Sequence, residues 1–275
     1  MRPVRPKKRF GQHFLKDSRY IRLIVEAAEL SSDDVVLEIG PGTGVLTREL
    51  AGKAGKVIAV EVDRDLAALL QKHFAAFPNV EVICADILAI NLTELLGFVI
   101  KGGRKGKVVA NLPYYITTPV ISMLLDHREL FERLVVMVQR EVADRMIARP
   151  HTKDYGAFSV KIQFHSEAQV VTRVPRGAFD PAPKVDSAVV CLRLRERPAV
   201  SVINEELFFK IVRAGFGKRR KMLRNALLGS DLGFDPDLLD EAFRRTGILP
   251  SRRAESLSLG EFALLADVLA GLSMV

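Results

Sequence analysis

At 275 residues with 48% hydrophobic composition, the chain can bury a complete α/β core, either as one large domain or as one domain with a small companion. No stretch reaches the roughly 18 apolar residues of a membrane span, and the N-terminal cations run into Phe10-Gly11-Gln12-His13 rather than an apolar signal core, so no membrane partner and a cytoplasmic location are expected. The net charge of +8 is concentrated in two places. Residues 1–9 hold Arg2, Arg5, Lys7, Lys8 and Arg9, residues 207–230 hold Lys210, Arg213, Lys218, Arg219, Arg220, Lys221 and Arg224, and neither segment contains an acid. Clustered cations on an otherwise mildly acidic body are the footprint of a polyanion binder; a solubilising tail and a solvated helix face are the plainer alternative. Cys84 and Cys191 each lie in an apolar run and read as small core residues, not as a disulfide or metal pair, and no metal site is expected.

From Val35 onward, short β-branched runs alternate with helical stretches. Strands are expected at Val35–Ile39, Val57–Glu61, Val80–Cys84, Val108–Asn111 and Leu134–Gln139. Helical spacing between them puts Leu66, Leu69, Leu70, His73 and Phe74 on one face, and Val120, Leu124 and Leu125 on another. Continuous apolar strands separated by helices imply a parallel sheet covered on both sides. Gln169–Val174 and Val185–Leu194, joined through the turn-rich Pro175–Pro183, are expected to form an antiparallel pair at the sheet edge. After Pro198 the pattern turns helical, with helices near Glu205–Ala214, Lys218–Leu228, Pro236–Arg244 and Leu259–Leu272. A domain over residues 1–200 followed by a small helical domain over 201–275 is the expected division.

The strongest local motif is Glu38-Ile39-Gly40-Pro41-Gly42-Thr43-Gly44, between a strand and a helix. Glycines there permit a tight turn and close backbone approach to a ligand at the carboxyl edge of the sheet. The E-x-G-x-G-x-G spacing is the form seen in adenosylmethionine enzymes, whereas a dinucleotide site wants G-x-G-x-x-G. Glu61, at the end of the next strand, places a carboxylate where a ribose diol would sit, and Asp86 either accepts from an adenine amino group or caps a helix. For Glu38, orientation of the glycine loop stands beside direct cofactor contact.

Asn111-Leu112-Pro113-Tyr114 closes the fourth strand and carries the chemistry. The lone pair of an adenine N6 amine is delocalised into the ring. Two acceptors, the Asn111 side-chain carbonyl and the Leu112 backbone carbonyl, can take its hydrogens and draw the nitrogen toward tetrahedral geometry. Pro113 stiffens the turn, and Tyr114 offers a ring for stacking on an extruded base. Phe179, in Phe179-Asp180-Pro181-Ala182-Pro183-Lys184, either closes the other face of the base or anchors its loop in the core. A Pro-containing strand-to-helix turn with a buried Tyr is the structural alternative for the four-residue motif.

Together with Lys8-Arg9-Phe10-Gly11-Gln12-His13-Phe14-Leu15, Glu61-Val62-Asp63, Tyr155-Gly156, Phe179–Val190 and Lys218-Arg219-Arg220-Lys221, these motifs make the chain resemble, nearly end to end, the KsgA family of small-subunit rRNA adenine dimethyltransferases. The resemblance implies a class I, Rossmann-like methyltransferase domain with a seven-stranded, mostly parallel sheet and a small all-α C-terminal domain for rRNA recognition. It implies S-adenosylmethionine as cofactor, S-adenosylhomocysteine as product, and His13, Leu15, Gly40, Glu61, Asp86 and Asn111 as cofactor contacts, with Gly42 in the same loop. The implied substrate is a pair of adjacent adenines in a hairpin loop near the 3′ end of 16S rRNA, dimethylated in an immature small subunit by a monomeric enzyme. His13 stands where Asn is frequent in the family, and Tyr115 where Asn often follows the Tyr. RNA contacts are expected at Lys218, Arg219, Arg220, Lys221 and Arg224; the spacing of Arg220, Lys221 and Arg224 puts cations on one helix side, with ordinary surface charge as the alternative.

Overall fold

The computed structural model describes residues 7, 12–97, 104–218 and 220–272. Its contacts divide into two compact units: Met1–Ala143 with Glu167–Glu196, and Asp144–Ser166 with Arg197–Val275.

In the first unit, β1 (Phe14–Leu15) and α1 (Ser18–Ala27) precede β2 (Val35–Ile39), α2 (Val45–Ala51), β3 (Lys56–Glu61), α3 (Arg64–His73), β4 (Val80–Cys84), α4 (Leu92–Gly97), β5 (Gly106–Asn111), α5 (Thr117–Asp126) and β6 (Phe131–Gln139). After α6 (Arg140–Met146) and α7 (Ala157–His165) come β7 (Ser166–Val174), β8 (Phe179–Asp180) and β9 (Ser187–Leu194). Seven strands form one sheet in the order β4-β3-β2-β5-β6-β9-β7. The first five are parallel, Leu37 lying opposite Ile58 on one side and Val108 on the other. The inner strands are buried almost throughout because helices cover both faces, which is why they read as unbroken apolar runs.

Side-chain caps set several helix starts: Asp17 accepts from the Arg19 N–H ahead of α1, and Asp63 from the Asp65 N–H ahead of α3. Strand order reverses beside β2, with β3 on one flank and β5 on the other, and such a switch point opens a crevice at the carboxyl ends. The two strands expected to pair at the sheet edge do so: β9 lies antiparallel against β6, and β7 lies beyond it at that edge. One expectation changes here. Cys84, at the end of the outer strand β4, is exposed, while Cys191 is buried.

The second unit is built by α8 (Glu205–Gly217), α9 (Leu223–Leu228), α10 (Pro236–Thr246) and α11 (Leu259–Leu272), packed around Phe208, Ile211, Leu239, Phe262 and Leu269. Asn204 caps α8, and Asp235 caps α10, where Pro236 occupies the first turn. Helix α7 belongs to this core: Phe164 stacks on Phe208 with ring centroids 5.0 Å apart, and Tyr155, just before α7, meets Phe216 edge-on at 5.7 Å. The contact boundaries therefore differ from a single cut at 200, because residues far apart in sequence share one apolar core. The helix expected over Lys218–Leu228 is also shorter. Gly217 ends α8, the Lys218 ammonium donates to the Gly229 carbonyl at 2.8 Å, and the Leu223 N–H donates to Arg252, so helix resumes only at Leu223. No described helix is long and apolar enough to cross a membrane.

Candidate active site at the carboxyl edge of the sheet

One cavity at the carboxyl ends of β2, β3 and β5 gathers His13, Leu15, Gly40, Gly42, Glu61, Asp86, Asn111, Leu112, Pro113, Tyr114 and Phe179. The glycine loop begins with the Gly40 N–H donating to the Val60 carbonyl at 2.9 Å. Gly40, Gly42 and Gly44 all have positive φ, at 68°, 58° and 80°. A Cβ on Gly42 would lie 3.1 Å from the Phe14 ring, and one on Gly40 would lie 3.5 Å from Pro113 Cδ. The glycine loop thus packs closely against Phe14 at Gly42 and lies within van der Waals reach of the Asn111–Tyr114 loop at Gly40, and the positive φ at both positions favours glycine.

Glu61 is 5% exposed, and its carboxylate accepts from the Gly42 N–H at 3.3 Å and the Asp63 N–H at 2.9 Å. Burial pushes this carboxyl above the ordinary glutamate value, against the pull of those two N–H groups. Glu38, also on the cavity wall, is fully buried, and neither of its oxygens has a hydrogen-bond partner among the described residues. Of the two roles weighed for Asp86, the structure shows the cap: its carboxylate accepts from the Leu88 N–H at 3.0 Å ahead of the 3₁₀ turn Ile87–Ala89, and the residue also lines the cavity. Val62 and Ile87, each one residue beyond an acid, add apolar walls that charge and glycine motifs did not single out.

In the Asn111–Tyr114 loop the Asn111 amide nitrogen donates to the His13 carbonyl at 3.4 Å, which leaves its side-chain oxygen as the open acceptor. The Leu112 N–H goes to the Met137 carbonyl at 3.1 Å, and the Pro113 carbonyl is taken by the Ile116 N–H and the Thr117 hydroxyl. Among the described residues the Leu112 carbonyl has no partner. Tyr114 shares a 2.8 Å hydrogen bond with the Ser187 hydroxyl, and its ring stacks on His13 at 5.8 Å. Burial raises the Tyr114 phenol above its ordinary range, so it stays neutral near pH 7. His13 Nδ1 donates to the Pro181 carbonyl at 2.7 Å. Phe179 is 2% exposed and pairs through β8 with Leu15, so it is at once a core anchor and part of the cavity wall. Tyr115, on the same cavity, is 56% exposed.

The family model described as Ribosomal RNA adenine dimethylase matches residues 4–270. The chain is 50% identical over 269 residues to the Ribosomal RNA small subunit methyltransferase A of Pelotomaculum thermopropionicum, covering 96% of this chain and 91% of that protein. It is 47% identical over 268 residues to the protein of that name from Moorella thermoacetica, covering 96% and 92%. The chain belongs to the ribosomal RNA adenine dimethylase family. In three dimensions this rRNA methyltransferase is similar to a dimethyladenosine transferase from Plasmodium falciparum, with a TM-score of 0.78, 27% identity and coverage of 92% and 96%. It is also similar to the 23S rRNA methyltransferase ErmE, with a TM-score of 0.69, 30% identity and coverage of 94% and 99%.

The cations of this methyltransferase are distributed less simply than their sequence clustering suggests. Arg224 is the one member of the basic segment that lies on a described helix after Gly217, and it is bonded to Asp240 at 2.7 Å. Lys218 is turned back on Gly229, and Arg219 lies outside the described residues. The expected stripe of cations along one helix side is therefore not formed: Arg220 and Lys221 precede the helix. Arg220 instead lines a cavity of the second unit with Arg253, His151 and Lys153, where Glu255 is the only acid. Lys7 is spent on Asp63 and Asp65, and Arg2, Arg5, Lys8 and Arg9 lie outside the described residues. No group of three or more His, Cys, Asp or Glu side chains placed to hold a metal occurs among the described residues.

Proposed function

We propose that the chain transfers methyl groups from S-adenosylmethionine to the N6 amines of two adjacent adenines in a 3′-end hairpin loop of 16S rRNA. The reaction dimethylates each adenine in an immature small subunit in the cytoplasm. The observation that carries the reading is the Asn111 amide: its nitrogen is tied to the His13 carbonyl, so its oxygen faces the reaction as an acceptor beside the partnerless Leu112 carbonyl. A methyltransferase acting on a hydroxyl or a carbon would have no use for two acceptors at that point.

The residues present fit the cofactor. The glycine loop keeps its backbone open, the Glu61 carboxylate suits a ribose diol, and Glu38 is a buried carboxyl whose oxygens lack partners on a cavity wall. S-adenosylmethionine supplies an electrophilic methyl on a sulfonium. In the first transfer Asn111 and the Leu112 carbonyl hold the two N–H hydrogens, and in the second one of them holds the single N–H that remains; each restores the nitrogen lone pair and aligns it for in-line displacement. Tyr114, braced by His13 and Ser187, presents its ring to the base. The amine proton released after each transfer passes to solvent. Arg220 and Lys221, rather than Lys218 and Arg224, contact the rRNA phosphates.

Immature small subunits incubated with the protein and labelled S-adenosylmethionine should gain label on both adenines, mapped by mass spectrometry. Label in the large subunit alone would assign the enzyme to the chemistry named for ErmE and overturn the substrate reading. Asn111→Ala should cut turnover by about 100-fold or more, the loss typical of removing one group that stabilises the transition state, while RNA binding is retained.

A further inference from the structure

Asp63 is 2% exposed, yet its carboxylate accepts from three different residues. One oxygen accepts from the Lys7 ammonium at 2.7 Å and from the Asp65 N–H at 3.0 Å, and the other accepts from the Gln12 amide at 3.2 Å. Its own N–H goes to Glu61 at 2.9 Å. The Lys7 N–H donates to the Gln12 side-chain oxygen at 2.8 Å, so both residues close on the same carboxylate. Capping α3 uses one oxygen and needs no burial; the second oxygen and the ion pair are committed to the arm.

What the arm does next gives the contact its consequence. Immediately after Gln12, the His13 carbonyl takes the Asn111 amide, the Phe14 ring fills the space a Cβ on Gly42 would need, and Leu15 pairs with Phe179. This wall of the cofactor cavity is therefore held at two ends: by Asp63 on one side and by the short β1–β8 ribbon on the other. Two paired residues of ribbon are too few to order it alone.

We propose that Asp63 is a positioning residue for methyl transfer: by gripping Lys7 and Gln12 it seats residues 12–15 on the cofactor cavity, and thereby governs cofactor retention and the orientation of Asn111. The inference rests on the proposed function. Burial alone would raise the Asp63 carboxyl, but the Lys7 and Gln12 bonds outweigh it and hold the group below the usual aspartate range, so the latch is charged at neutral pH.

Asp63→Asn tests it, because the amide oxygen still caps α3 while the ion pair is lost and a donor replaces the acceptor facing Gln12. Lys7→Met removes the latch from its solvent side, and Lys7→Arg restores a cation. Calorimetric binding of S-adenosylhomocysteine should weaken by about tenfold in Asp63→Asn and Lys7→Met, the scale of one charge-assisted hydrogen bond, and by less than about twofold in Lys7→Arg. At saturating cofactor, kcat should also fall in the first two variants, through Asn111. Wild-type affinity in both Asp63→Asn and Lys7→Met overturns the proposal. Should Asp63→Asn fail to fold, the Lys7 pair decides alone, since Lys7 lies outside the core. Absence of S-adenosylhomocysteine binding by the wild type would instead overturn the functional reading on which the inference stands.

Discussion

Replacing Glu38 with glutamine keeps the shape of the side chain and removes one titration. Glu38 is 1% exposed, and the Thr47 hydroxyl beside it makes no hydrogen bond of good geometry with it. Burial pushes the carboxyl up to about 8, with the Glu61 charge adding to the effect and Thr47 opposing it. In the unfolded chain the same group titrates near 4.5. Between those two values the unfolded state releases a proton that the folded state keeps. The stability contributed by the neutral carboxyl is thus complete at low pH, declines as pH rises, and levels off above about 8. A tenfold change in proton affinity is worth ~1.4 kcal/mol, so the full decline is about 5 kcal/mol and the part reached by pH 7 about 3 kcal/mol. Denaturant unfolding of the cofactor-free wild type and the Glu38→Gln variant at about pH 5, 7 and 9 reads the difference directly. The two should nearly agree at the lowest pH and separate in favour of the variant as pH rises. A wild type that loses no more stability than Glu38→Gln over that range would show that Glu38 ionises freely where it sits, and would refute the argument from burial.

Neutralising Arg220 and Lys221 together should weaken rRNA binding and lower the slope of log affinity against log salt by about one to two, since each phosphate contact contributes roughly 0.7 to 0.9, whereas neutralising Lys218 and Arg224 should leave that slope unchanged in filter-binding titrations. Glu61, whose carboxyl is raised by burial, should lose its charged form as pH falls through a value above the ordinary 4.5; cofactor affinity should decline over that acid range in the wild type, and be weaker but flat in Glu61→Gln, as calorimetry at several pH values would record. Gly44→Ala should destabilise the first unit by about 2–4 kcal/mol, combining a left-handed residue with overpacking, because its Cβ would sit 2.7 Å from Leu70 and 2.8 Å from Phe74; chemical denaturation measures the loss.

Much of the site was legible in the chain itself, for a local reason. A parallel strand covered on both faces must be continuously apolar, and ligand-binding residues must follow its carboxyl end, so Gly40, Glu61, Asp86 and Asn111 could be picked out one strand at a time. Helix caps such as Asp235 before Pro236 act within a turn and are legible on the same grounds. The misreadings concern partners distant in sequence. Nothing near Arg224 announces that Asp240 neutralises it, and nothing near Lys218 announces that it turns back to Gly229. The order of β9 and β7 follows from which strand completes the hydrogen bonds of β6, and α7 joins the second unit because Phe164 finds Phe208 there.

Asp63 marks the division most clearly. Its capping of α3 is a local role, because it depends only on the next two residues. Its second role depends on Lys7 and Gln12, more than fifty residues away, which only the folded chain brings to the same carboxylate. The sequence by itself determined the individual strands, the glycine loop and the Asn111–Tyr114 turn, since each is encoded in contiguous residues. Tertiary structure alone decided which cations are paired and what Lys7 and Gln12 hold, because ion pairs and strand neighbours are chosen by proximity in space.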